Sequence, residues 1–128
     1  MSCAATIYVK HLEAMVAFYE ACFGFRVVDR GPGEYHVLQS RAWSLSIVQV
    51  PEEVAVSFEI SSPPVRRAST PIKLTFDVSS IDAVRSTIAE LGGRVDGTPW
   101  EFRGFRHCDC TDPEGNVAQL REPLGSVL

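Results

Sequence analysis

Lys73, His107, Asp109 and Gln119 are the side chains whose types and spacing invite chemistry. His107 and Asp109 stand two residues apart in a stretch that reads as a strand, so they share one face. An imidazole and a carboxylate on one face can start a metal site or orient a polar ligand, and the wall of a polar cavity is the preferred reading. Parity across the following turn places Gln119 and Arg121 on the same face. Cys108 and Cys110 alternate with these residues and share the other face. A lone C-x-C pair is a poor zinc signal and too close for an easy disulfide, so both are expected to be small buried apolar residues. His11 opens a helix and His36 lies on a strand, neither with a second His or carboxylate at ligand spacing in its own segment. No serine-nucleophile motif, phosphate loop or Cys-His arrangement stands out. A lysine removed from water can act as a base or nucleophile, but more often it pairs with an acid.

The elements that must position these groups are legible. Asp112-Pro113-Glu114-Gly115-Asn116 is turn chemistry, with strands on either side at 107–111 and 117–121. Residues 72–78 alternate as a strand, and a helix over 81–91 follows, with Ile81, Val84, Ile88 and Leu91 at helical spacing and Ser79 as its expected cap. Upstream, 4–9 is a strand and 12–23 a helix whose stripe is Leu12, Met15, Val16, Tyr19 and Phe23. Val9 corresponds to Val78 and Leu12 to Ile81, so the chain reads as two copies of strand, helix and several strands. Further strands are expected over 25–29, 35–39, 43–50 and 94–96, with a short strand within 54–60. Residues 61–71 are a linker by composition, and Arg66-Arg67 within it is expected to be a solvated pair.

With 128 residues the chain suits one domain, and 45% apolar and 22% charged residues are ordinary for a globular protein. A net charge of −4 with scattered arginines argues against nucleic acid as a partner. No apolar run is long enough to span a membrane and no signal peptide opens the sequence, so a cytoplasmic protein is expected.

Three passages together resemble the vicinal oxygen chelate superfamily of glyoxalases, bleomycin-resistance proteins and extradiol dioxygenases. They are Val9-Lys10-His11-Leu12-Glu13 running on to Ala17-Phe18-Tyr19 and Phe23-Gly24-Phe25; Phe76-Asp77-Val78 with Ile81-Asp82-Ala83-Val84; and the Asp112–Asn116 turn with Gln119-Leu120. The resemblance implies an α+β fold of two βαβββ modules, about 3–51 and 72–123 with a linker about 52–71. The sheets would curve around a cavity, with the helices on their outer faces.

In metal-using members the ligands come from the first and last strands of each module. The matching positions here are Ala4, Ser46, Lys73 and Gln119. Ala4 has no donor atom, Ser46 is a poor one, and Lys73 brings a positive charge; Gln119 alone does not hold a divalent ion. The resemblance therefore points to the bleomycin-resistance branch: a metal-free, non-catalytic homodimer, without cofactor, that binds a small aromatic or cationic molecule, with drug sequestration as one use. Tyr8, Trp43, Trp100, Phe102 and Phe105 are its expected aromatic surface, with Lys73, His107, Asp109 and Gln119 as polar groups. Strand parity turns Lys73 toward the cavity, where Asp109 is the expected partner of its amine. The alternatives are a lyase or dioxygenase-type enzyme with an atypical site, and a regulatory or scaffold dimer that binds nothing.

Overall fold

The computed structural model describes residues 3–41 and 43–125. The chain divides into two compact units, Met1–Ser61 and Ser62–Leu128.

In the first unit, β1 (Cys3–Val9) leads into α1 (Leu12–Phe23), then β2 (Arg26–Gly31), β3 (Tyr35–Ser40) and β4 (Trp43–Gln49). The sheet order is β1-β4-β3-β2, with β1 parallel to β4 and the other pairs antiparallel. The helix buries Leu12, Met15, Val16, Tyr19 and Phe23, the stripe expected from its periodicity, together with Phe18 and Cys22. Beneath it lie Val9, Leu38, Leu45 and Ile47, all withdrawn from solvent. Gly24 ends the helix at φ 71°, a left-handed position that favours glycine. His11 occupies the N-cap position without a capping side-chain bond. Gln49 supplies the cap instead: its Oε1 accepts the Leu12 amide at 3.1 Å and its Nε2 donates to the Lys10 carbonyl at 2.6 Å. No strand forms within 54–60. After Pro51 the chain makes a one-turn helix, α2 (Glu52–Ala55), and then a turn. Two acids open that helix, and Lys10 Nζ donates to the Phe58 carbonyl beyond it.

The second unit repeats the plan. It contains β5 (Leu74–Asp77), α3 (Ile81–Glu90), β6 (Arg94–Phe102), β7 (Phe105–Thr111) and β8 (Val117–Pro123), in sheet order β5-β8-β7-β6. Again the first and last strands pair in parallel. The cap is repeated too: Glu122 Oε1 accepts the Ile81 amide at 2.6 Å, as Gln49 does for Leu12. Ser80, not Ser79, is the N-cap, its hydroxyl accepting the Ala83 amide at 3.1 Å. Glu122 fixes Ile81 as the first helical residue, which leaves the cap to its immediate predecessor. The strand expected over 94–96 runs on to residue 102. A register shift between Asp96 and Trp100 absorbs the irregularity, and Gly97 sits there at φ 68°.

Each unit is thus α+β, one helix on one face of a mixed four-stranded sheet. No helix among the described residues is long and apolar enough to cross a membrane.

Candidate functional site

The Asp112–Asn116 turn is built as its residues dictate. Asp112 Oδ1 accepts the amides of Glu114 and Asn116, each at 2.9 Å, and its Oδ2 accepts Asn116 Nδ2 at 2.9 Å. Gly115 has φ 89°. Its carbonyl accepts the Arg67 amide at 2.7 Å, and a Cβ added to it would lie 2.1 Å from the Val65 carbonyl oxygen. The linker is therefore pressed against the turn, and this contact delivers Arg66 to the sheet. Arg66, expected as half of a solvated loop pair, stays partly exposed but is held in place: its Nη2 donates to Asp109 Oδ2 at 3.0 Å and its Nε lies 3.5 Å from Asp96.

The face of this sheet away from α3 carries side chains in rows. Asp77, Arg121, His107 and Trp100 align across β5, β8, β7 and β6; the next row is Thr75, Gln119, Asp109 and Asp96. In the second row two carboxylates stand side by side, an arrangement that demands cations. Lys73 Nζ lies 3.0 and 3.2 Å from the two oxygens of Asp109, and Arg94 Nε donates to Asp96 at 2.6 Å. Thr111 also donates its hydroxyl to Asp96. Lys73 and Asp109, expected as partners from strand parity, are brought together, although β5 itself starts one residue later, at Leu74.

In the first row, His107 is buried beneath aromatic rings. Trp100 stacks on it with centroids 5.5 Å apart and planes 12° apart, and Phe102 and Phe105 flank it, each at 6.2 Å. Its Nε2 faces the Phe102 carbonyl at 3.3 Å and its Nδ1 faces Gln119 Oε1 at 3.1 Å, so both ring nitrogens meet carbonyl oxygens. Arg121 forks onto Asp77 at 2.6 and 3.2 Å and lies 4.4 Å over the Phe105 ring. The Asp77 bond raises the pKa of this guanidinium still further.

Of the residues expected to form a site, Lys73, Trp100, Phe102, Phe105, His107, Asp109 and Gln119 share this one face. Tyr8 and Trp43 lie in the other unit. Tyr8 is exposed on the face of β1 opposite the helix. Trp43 has the parity of the buried Leu45 and Ile47 and packs edge-on against Phe25, so it belongs to the helix-covered side. Arg66, Arg94 and Asp96 are site residues that sequence reasoning missed.

The donor set does not fit a divalent metal. The two modules share one pairing register: Thr6 pairs with Ser46 as Thr75 pairs with Gln119, which makes Ser46 and Gln119 equivalent, and the correspondence of Val9 with Val78 makes Ala4 and Lys73 so. Of these four, Lys73 is turned into an ion pair and Gln119 is engaged by His107. No group of three or more His, Cys, Asp or Glu gathers at ligand distance among the described residues. The thiols offer no substitute: burial pushes Cys22 up to about 12 and raises Cys108, which lies on the helix side with Cys110. The open face of the first unit carries Thr6, Ser44, Ser46 and Val48 and no charge on those two strands.

Residues 3–120 match the family described as the Glyoxalase/Bleomycin resistance protein/Dioxygenase superfamily. No curated protein matches the sequence. Among solved structures, a glyoxalase/bleomycin resistance protein/dioxygenase family enzyme from Burkholderia phytofirmans PsJN is 21% identical, with a TM-score of 0.71 over 94% of this chain and 97% of that one. A glyoxalase/bleomycin resistance protein from Albidiferax ferrireducens T118 is 20% identical, with a TM-score of 0.63 over 95% of this chain and 97% of that one. The fosfomycin resistance protein FosX from Listeria monocytogenes is 17% identical, with a TM-score of 0.67 over 95% and 92%. At such identities the likeness is one of fold.

Proposed function

This chain belongs to the Glyoxalase/Bleomycin resistance protein/Dioxygenase superfamily, and on that premise we propose that it is a metal-independent small-molecule-binding protein whose site includes the open face of the β5-β8-β7-β6 sheet. One observation carries this reading. At the opening-strand position where metal-using members place a ligand, Lys73 directs an ammonium at Asp109. A cation already occupies the electrostatic role a metal would have, and the only carboxylates of that row, Asp109 and Asp96, are each held by basic side chains. Around this polar floor, Trp100 and Phe102 keep exposed aromatic surface, the kind that binds flat ligands with little loss of conformational freedom. Drug sequestration is one use of such a site. The family, together with apolar side chains left exposed at Val65, Ile72 and Phe102, also supports a homodimer.

Elemental analysis of protein purified without chelator tests the metal-free reading. Zinc, nickel, manganese and iron should each fall far below one equivalent per chain. A stoichiometric metal that survives gel filtration would overturn it and favour a metal-dependent enzyme.

A further inference from the structure

The open face of the second unit has a sign. Asp96 and Asp109 are only 14% and 15% exposed, whereas the cations that hold them, Arg66, Lys73 and Arg94, are 36%, 42% and 47% exposed. The acids form the base of the cluster and the basic groups form its rim. Three cations face two carboxylates, which leaves one positive charge over in a protein whose net charge is −4. Donors are also left over. Arg94 bonds Asp96 through Nε, so its terminal nitrogens are not used in that bond; the third hydrogen of the Lys73 ammonium is not used on Asp109. At this cluster an approaching molecule therefore meets N–H donors rather than carboxylate acceptors. Asp77, the other acid of this face, is 66% exposed but lies in the neighbouring row and is forked by Arg121.

The aromatic row lies beside this rim, two residues along β5, β8 and β7 and four along the irregular β6, or about 7 Å away. Trp100 is 41% exposed; one face of its indole is covered by His107, and the ring sits on the same side of the sheet as Asp109. Stacking surface and surplus donors are thus one side-chain row apart.

We infer that the ligand is a planar aromatic anion, its ring laid against Trp100 and its carboxylate or other acidic group held by Arg66, Lys73 and Arg94. The inference rests on the binding function proposed above and fixes its ligand class: the charge of the rim favours an anion over the cation that the acidic sequence suggests.

Three probes of one shape and different charge test it: 2-naphthoate, 2-naphthamide and 2-naphthylmethylammonium, titrated calorimetrically into the full chain. The naphthoate should bind about tenfold more tightly than the amide, since its hydrogen bonds are charge-assisted, and the ammonium more weakly than either. Raised salt should narrow the difference. Arg94→Gln, at an exposed side chain, should bring naphthoate down toward the amide, and Trp100→Ala should weaken all three, with circular dichroism verifying that both variants fold. Equal or tighter binding of the ammonium overturns the inference, and so does failure of all three probes to bind. Either result leaves the metal-free reading intact if the same preparation contains no stoichiometric metal, whereas one equivalent of metal overturns that reading independently of the probes.

Discussion

Gly115→Ala separates two costs that usually come together. At φ 89° an L-residue is strained, which costs about 1–2 kcal/mol. The new Cβ would also lie 2.1 Å from the Val65 carbonyl oxygen, a backbone atom that cannot rotate away. Linker and turn must part by roughly 1.5 Å to restore ordinary van der Waals contact. That displacement breaks the 2.7 Å bond from the Arg67 amide to the Gly115 carbonyl, worth about 1 kcal/mol. The expected total is about 2–4 kcal/mol. Gly104→Ala is the control: its φ is 81° and no heavy atom lies within 4 Å of the added carbon, so it bears only the conformational cost. Urea unfolding of both variants should show Gly115→Ala to be the worse by about 1–2 kcal/mol. The same variant should loosen Arg66 from Asp109, because residues 65–67 are held by that turn. Equal destabilisation by the two substitutions would refute the clamp and, with it, the account of how Arg66 reaches the site.

Lys73→Met and Asp109→Asn, alone and together, should show a coupling of about 1 kcal/mol in a double-mutant cycle, modest because the lysine is partly exposed; additive effects would mean the pair contributes nothing. Burial holds the Cys22 thiol at about 12 against the usual 9.0, so above pH 9 the unfolded chain gives up a proton that the folded chain retains. Its contribution to stability is full below pH 9.0 and falls as pH rises toward about 12, by at most about 1.4 kcal/mol per pH unit. Cys22→Ala should flatten the decline in urea midpoint over this range, and parallel curves for the two proteins would contradict it. Light scattering at high micromolar concentration should give twice the chain mass, and a monomer there would count against the homodimer.

Periodicity made the helices readable, because Leu12, Met15, Val16, Tyr19 and Phe23 have one use as a set. Strand parity paired Lys73 with Asp109, because a two-residue repeat leaves only two faces to choose from. The same parity sets Trp43 with Leu45 and Ile47, and thus on the buried side of β4, a signal present in the sequence but outweighed by its aromatic type. Arg66 was not legible, since a loop residue has no period and its position depends on a distant glycine. Asp96 was hidden by the register shift before Trp100, which decides what stands opposite Asp109. Ser79 and Ser80 are locally equivalent as caps, and the choice is made by Glu122, 41 residues beyond Ile81.

The two helix caps bear on how the chain is made. Gln49 closes the N-terminus of α1 and Glu122 that of α3, each from the last strand of its own unit. All four strands of the first sheet, its helix and that cap lie before residue 62. On the ribosome the N-terminal unit is therefore complete in sequence while the second is still being translated. Its parallel β1–β4 pairing, the slow step for a topology that must close a loop of this length, can finish before a competing set of strands emerges. A repeat whose halves shared caps would have to wait for the whole chain, leaving homologous strands free to pair across copies.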